Sequence, residues 1–89
     1  MVQVVFTPNL QRHVSCPPAT AEAESVRAAL DLVFAANPQL RSYVVDEQGR
    51  LRKHVNVYVN DRMVNDRIAL SDAVAAHDEI FVFQALSGG

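Results

Sequence analysis

The sequence predicts an α+β fold: a β-sheet with one main helix packed across one face, in a single domain over residues 1–84. Three observations predict it. Residues 25–38 carry apolar side chains at helical spacing, residues 55–60 alternate apolar and polar side chains, and residues 79–84 form a short apolar run. With 89 residues, 49% hydrophobic and 20% charged, the chain has the composition of one folded domain and not of a disordered segment.

The N-terminal segment predicts a hairpin with one regular arm. Val2–Phe6 is rich in β-branched residues, as strands are, and Thr7-Pro8-Asn9 predicts a turn after it. The second arm is less regular because Pro17-Pro18 has no amide hydrogens to donate to a sheet. Any strand in this arm is therefore expected at a sheet edge or broken.

The main helix is predicted between Ser25 and Asn37. The Ser25 hydroxyl is suited to accept a hydrogen bond from an N–H of the first turn, and Asn37-Pro38 ends the helix because proline pushes the preceding residue out of the α region. Arg27 and Asp31 are expected on its solvent side. The apolar residues form one stripe on the other side: Val26, Ala29, Leu30, Val33 and Phe34.

The middle of the chain predicts a short apolar segment over residues 40–45, a turn at Asp46–Gly49 and then the basic stretch Arg50–Lys53. That stretch is interpreted as a solvated hairpin, with a docking patch as the alternative. The next strand has Val55, Val57 and Val59 on one face, and Asn56, Tyr58 and Asn60 on the other. A turn is expected at Asn60-Asp61.

The last strand is predicted over Glu79–Gln84. It is apolar on both faces, which favours a central or doubly covered position in the sheet. One helical turn is expected within Leu70–Ala76, followed by a turn at His77-Asp78. A ferredoxin-like βαββαβ arrangement is the alternative fold, with Leu70–Ala76 as its second helix.

The residue types that carry catalysis or bind metals are scattered. The three histidines and the lone Cys16 have no metal-ligand spacing, and Cys16 is interpreted as a structural or incidental thiol. The acidic residues of the C-terminal half are interpreted as turn and cap residues: Asp61, Asp66, Asp72, Asp78 and Glu79. We therefore expect no enzyme activity, no bound metal and no bound cofactor. The histidines are His13, His54 and His77.

Charge and cysteine content bear on the partners and the compartment. A net charge of −2 without a basic stripe argues against nucleic acid as the main partner. No apolar run approaches a membrane span and no signal peptide is recognisable, so membrane partners are not expected. A single cysteine excludes an internal disulfide and suits a reducing compartment, so we expect the protein in the cytoplasm.

Residues 85–89 predict a flexible tail that ends in Gly88-Gly89, two of only three glycines in the chain. Glycine has no Cβ and adopts backbone angles closed to other residues. Five extended residues span about 17 Å, enough to thread a narrow channel into another protein. Because an ionised carboxylate is a poor electrophile, its acyl group reacts only after gaining a leaving group, as in an acyl-adenylate made from ATP.

The whole pattern, from Val2 to Gly89, resembles the MoaD/ThiS family of sulfur carriers. The segments that carry the resemblance are VQVVFTPNL, ESVRAALDLVFAANPQL, HVNVYVNDRMV and AHDEIFVFQALSGG. It implies the ubiquitin-like β-grasp fold, a mixed sheet with one main helix across one face. The chain is most similar to the MoaD-like carrier for cysteine synthesis.

The resemblance also implies a mechanism and partners. An E1-like enzyme of the MoeB/ThiF type would use ATP to adenylate the carboxylate of Gly89, and a sulfur donor would displace AMP to leave a thiocarboxylate. An acceptor enzyme would then use the sulfur. That acceptor is a cysteine synthase dependent on pyridoxal phosphate (PLP) in one branch of the family and the large subunit of molybdopterin synthase in the other.

The resemblance assigns roles to the end of the chain. Gly89 is the loaded residue, with Leu86, Ser87 and Gly88 as the preceding tail motif, and Phe83 corresponds to a position on the surface that docks the activating enzyme.

The residues themselves agree in part with this docking surface. If Ile80 and Val82 face the helix, then Phe81 and Phe83 form an exposed aromatic pair; in the opposite arrangement the two rings belong to the core. Gln84-Ala85 stands where MoaD proteins usually have prolines, which puts the molybdopterin assignment in doubt.

Three alternatives to the carrier for cysteine synthesis stay open. In the first, the chain is the small subunit of molybdopterin synthase (MoaD). In the second, it is a ubiquitin-like modifier conjugated through Gly89 to lysines of other proteins. The third is a plain binding module with an incidental Gly-Gly end.

Overall fold

The computed structural model describes residues 1–12 and 15–84, so the predicted tail and His13 lie outside the described residues. The strands are β1 (Val2–Phe6), β2 (Ala19–Ala21), β3 (Val55–Val59), β4 (Arg62–Met63) and β5 (Glu79–Gln84). The helices are α1 (Pro8–Gln11), α2 (Val26–Ala36) and α3 (Pro38–Val44). In this part of the chain, no helix combines the length and hydropathy needed to cross a membrane.

The strands form one mixed sheet in the order β2-β1-β5-β3-β4. β1 and β5 are parallel, and the other neighbours are antiparallel. The order confirms two predictions: β5 is central, and the strand after Pro17-Pro18, which is β2, lies at an edge. This arrangement is the β-grasp fold.

Helix α2 forms as predicted from its cap and its stripe. The Ser25 hydroxyl accepts a hydrogen bond from the Ala28 N–H at 3.1 Å, and the five stripe residues are all buried. They pack on the sheet face that carries the buried valines of β1 and β3 together with Ile80 and Val82 of β5. One face of the sheet is thus covered, and the other, which we call the open face, is not.

Two short helices stand where none was predicted. The Leu10 and Gln11 N–H groups bond to the Thr7 carbonyl, so α1 replaces the predicted turn. Helix α3 starts at Pro38, directly after the predicted end of α2, and buries Leu40 and Val44. Neither helix is long enough to show a clear helical period in the sequence.

The helical turn predicted within Leu70–Ala76 is absent from the structure. Leu70 has a positive φ of 55°, and its N–H bonds to the Asp66 carbonyl. The chain then runs extended, with a bridge between Ala73 and Ser25 and a bond from the Val74 N–H to the Glu24 carbonyl. The ferredoxin-like alternative is therefore wrong.

Arg27 is not simply a solvent-side residue as expected. Its Nη1 lies 4.0 Å from Asp31, but its Nε donates to the Ala69 carbonyl at 3.0 Å and its Nη2 donates to the Ile68 and Gly49 carbonyls at 3.1 and 2.5 Å. Arg27 therefore ties α2 to two separate loops.

Candidate functional site

The open face carries a row of apolar side chains across four strands. Val5 of β1 pairs with Phe81 of β5, Phe81 pairs with Tyr58 of β3, and Tyr58 pairs with Met63 of β4. Partners in register point to the same side of a sheet, so these four side chains lie next to one another. We call Val5, Phe81, Tyr58 and Met63 the apolar row.

The apolar row is accessible to solvent and is extended by Phe83. Met63 is 47% exposed and Phe83 is 43% exposed, whereas Val5, Tyr58 and Phe81 are half-buried. The Phe83 ring meets the Tyr58 ring edge-on, with 5.4 Å between centroids and 73° between planes. The rings line a shallow concavity of about 490 Å³ together with Asn56, Asn60, Asp61 and Gln84.

The side-chain directions on β5 decide between the two arrangements left open by the sequence. Ile80 and Val82 are fully buried, and Phe81 and Phe83 lie on the open face. The predicted orientation of the two rings is therefore confirmed, with Phe83 exposed and Phe81 half-buried. Leu86, Ser87, Gly88 and Gly89 lie outside the described residues, so their assigned roles stay predictions.

The C-terminal end of β5 is held from both sides. Gln84 pairs with Val55 of β3, and the Thr7 N–H donates to the Val82 carbonyl at 3.1 Å on the β1 side. The Gln84 N–H lies 3.5 Å from the Thr7 hydroxyl. Gln84, the last described residue, is thus held in the sheet next to Phe83.

Arg67 fastens the same end of the sheet. Its Nη1 donates to the Asn56 side-chain oxygen at 2.8 Å, and its Nη2 donates to the Val55 and Arg52 carbonyls at 2.8 and 3.0 Å. No local sequence pattern indicates this role, because Arg67 sits in an irregular turn and its acceptors are 11 to 15 residues away.

Asp66, Asp72 and Asp78 accept hydrogen bonds from turn backbone, as predicted, whereas Glu79 begins strand β5. Asp66 accepts hydrogen bonds from the Ser71 hydroxyl at 2.6 Å and from the Ala69 and Ile68 N–H groups, which lower its pKa to about 2. Asp78 accepts from the Ala75 N–H and the Asn60 amide, and these bonds lower its pKa as well. Their hydrogen-bonding capacity serves the local backbone.

The remaining candidates for chemistry do not converge. Cys16 is buried in the core, and burial raises the pKa of its thiol, which disfavours the reactive thiolate. Within residues 1–12 and 15–84, no three or more His, Cys, Asp or Glu side chains are grouped to hold a metal ion. The feature that stands out is the partly exposed apolar row beside Gln84, the last described residue of β5.

Comparison with known proteins finds a matching family and a related sequence. Residues 16–89 match the model of the ThiS family. The small archaeal modifier protein 1 of Haloferax volcanii is 40% identical over 65 residues, which cover 73% of this chain and 70% of that protein.

Solved structures share this fold. The crystal structure of the Haloferax volcanii modifier superimposes with a TM-score of 0.78 at 30% identity, covering 99% of this chain and 98% of that one. A chain of the Amycolatopsis orientalis BexX/CysO complex superimposes with a TM-score of 0.82 at 27% identity, covering 100% of both chains.

Proposed function

Because this chain belongs to the ThiS family of ubiquitin-like sulfur carriers and small modifiers, we propose that it is a sulfur carrier loaded at Gly89. In this proposal the protein is the substrate of an E1-like adenylating enzyme and is not itself a catalyst. The enzyme holds the ATP, and the carrier contributes its C-terminal carboxylate.

The observation that carries the proposal is the position of two aromatic side chains on the open face. Phe81 and Phe83 lie on β5, the strand that leads directly into the Gly-Gly tail, and the apolar row continues from them across the open face. Contiguous exposed apolar side chains mark protein interfaces. An enzyme seated on this face receives the tail from the adjacent strand end.

The proposed loading occurs in two steps. A Gly89 carboxylate oxygen attacks the α-phosphorus of ATP, pyrophosphate leaves, and an acyl-adenylate forms. A sulfur donor, such as an enzyme persulfide, then supplies sulfur to the Gly89 carbonyl carbon and AMP leaves. For a persulfide, reduction by a thiol cleaves the S–S bond and frees the C-terminal thiocarboxylate, which passes its sulfur to an acceptor enzyme.

Among acceptors we favour a PLP-dependent cysteine synthase. The sequence resembles the MoaD-like carrier for cysteine synthesis, and Gln84-Ala85 departs from the prolines usual in the molybdopterin branch. The molybdopterin synthase large subunit is the alternative acceptor.

A second candidate function rests on a separate observation. The relative at 40% identity is named a modifier, which favours conjugation of Gly89 to amines of other proteins. Adenylation is common to both functions, and they part only at the second step, where sulfur or an amine displaces AMP.

Mass spectrometry of the protein from its native cell separates these functions. A carrier shows sulfur in place of oxygen, located on Gly89 by fragmentation, since oxidation of Met1, Met63 or Cys16 gives nearly the same mass gain. A modifier shows Gly89 joined to lysines of larger proteins. A free carboxylate under sulfur-demanding growth, with no conjugates, contradicts both.

A further inference from the structure

A second concavity lies beside the open face, and the charge of its lining is opposite to that of the whole chain. Its volume is about 620 Å³, and it is lined by Asp46, Arg50, Leu51, Lys53, Asn56, Arg67 and Ile68. Three of these side chains are cationic and one is anionic, so the lining is positive in a chain whose net charge is −2. We call Arg50, Lys53 and Arg67 the basic corner.

The chain itself neutralises only part of the basic corner. The Arg50 Nε donates to the Asp46 carboxylate at 3.0 Å, so the charge of Arg50 is balanced. Arg67 instead donates to neutral acceptors, which are the Asn56 side chain and two backbone carbonyls. Lys53 is exposed and has no hydrogen bond or ion pair with a described residue. Two positive charges of the corner are therefore unpaired with any carboxylate of the described residues.

An exposed apolar side chain lines the same concavity. Ile68 is 67% exposed, the highest value among the large apolar side chains of the described residues. Its backbone is held in place, because its N–H donates to the Asp66 carboxylate at 3.1 Å and its carbonyl accepts from Arg27 at 3.1 Å. A small anion such as phosphate covers the charges but leaves Ile68 in water. A protein segment with carboxylates and an apolar side chain covers both.

Asn56 joins this concavity to the open face. It lies on β3 between the buried Val55 and Val57, so its side chain points to the open face. It pairs with Phe83 and lines the concavity of the aromatic rings as well as this one. The two concavities are thus continuous, and a partner seated on the open face extends onto the basic corner.

We propose that the basic corner belongs to the surface that docks the adenylating enzyme, and that the enzyme meets it with carboxylates next to an apolar side chain. The inference rests on the proposed function, since it names the chemistry of the enzyme surface that receives the carrier. Complementary charges at the edge of an interface steer association and fix orientation more than they add affinity. The apolar row supplies contact area, and the basic corner orients the carrier on the enzyme.

Lys53→Glu reverses an unpaired charge and tests this surface. The measurement is pyrophosphate exchange by the adenylating enzyme of the same organism. The KM for the carrier should rise about 3-fold to 10-fold with little change in kcat, because a charge at the edge of an interface acts on association. Lys53→Arg keeps the charge and should keep the wild-type KM. Raising the salt from about 50 mM to about 500 mM should raise the wild-type KM and narrow its difference from Lys53→Glu, because salt screens exposed charges.

Arg62→Glu is the matched control, with the same change of charge on an exposed side chain. Arg62 pairs with the buried Val59, so it points away from the open face, and it lies at the other end of β3 from Val55. Its KM should stay within about 2-fold of the wild type. Ile68→Ala should raise the KM by a similar factor at both salt concentrations, because an apolar contact is not screened as a charge is.

The outcomes separate this proposal from loading at Gly89. If the wild type supports exchange but Lys53→Glu leaves the KM unchanged, or raises it no more than Arg62→Glu does, the proposal is overturned and loading stands. A wild-type KM that does not rise with salt also overturns it, and that measurement needs no variant. If the wild type supports no exchange, the proposed function fails and this proposal fails with it.

Discussion

At the scale of single residues, neighbouring side chains of β5 separate the candidate docking surface from the core. Phe83 is 43% exposed although its strand is central in the sheet, while Val82, its neighbour on the same strand, is fully buried. Because burial drives folding, a large apolar residue left in solvent on a central strand beside other apolar side chains supports the proposed docking surface.

Replacement of Phe83 by Ala tests this separation. We expect a loss of stability under about 1 kcal/mol, against about 3–5 kcal/mol for a fully buried Phe, because the ring is only partly removed from water. The KM of the activating enzyme for the carrier should rise. Thermal unfolding and adenylation kinetics of the same preparation measure the two effects.

Val82→Ala is the matched control on the same strand, and it should destabilise the fold. If Phe83→Ala unfolds the protein as strongly as Val82→Ala does, the ring belongs to the core and not to an interface.

Asp66 makes a pH-dependent contribution to stability. Its pKa is about 2 in the folded chain, lowered chiefly by the Ser71 hydroxyl and the Ala69 N–H, against a reference of 3.8. A lowered folded pKa stabilises the protein above the reference value, and this contribution is lost as pH falls from about 4 toward 2. Melting temperatures across this window should fall less steeply for Asp66→Asn than for the wild type. Parallel curves would refute this role.

At the scale of elements, the packing between α2 and its loops depends on one cation. Arg27 donates to carbonyls in two loops, and one acceptor, Gly49, has a positive φ of 82°. A Cβ at Gly49 would lie 3.2 Å from the Arg27 Nη1, so the glycine serves both the turn and the close approach.

Arg27→Ala should destabilise the protein by about 1–3 kcal/mol, because carbonyl groups lose a charged donor. Asp31→Ala should change the free energy of unfolding by less than about 0.5 kcal/mol, because an exposed ion pair on a helix contributes little. Urea denaturation of both variants provides the comparison. Equal effects would mean that Arg27 acts through its ion pair alone.

A feature of the fold or of the site could be predicted from the sequence when it depends on residues close together in the chain. Helix α2 and strand β3 carry repeating patterns over several residues, so their buried faces were predicted correctly. Helix α3 has only two buried residues, which is too few to define a period. The apolar row brings together four strands, and only the observed register shows that Val5 and Met63 join Phe81.

At the scale of the whole molecule, the proposed carrier combines a β-grasp body with a reacting group at the C-terminus. The sheet fixes Gln84, the last described residue, the open face carries apolar side chains beside it, and the reacting group is proposed at Gly89. Changes in the core are therefore expected to affect folding, and changes in the tail to affect loading. A tail makes few core contacts, so its removal should leave the melting temperature nearly unchanged.

The most direct test is pyrophosphate exchange catalysed by the E1-like enzyme of the same organism, with wild-type carrier and with carrier lacking Gly89. The wild-type chain should support exchange, which reports formation of the acyl-adenylate, and the shortened chain should support none while melting at the same temperature. Exchange at the wild-type rate with the shortened chain would contradict loading at Gly89.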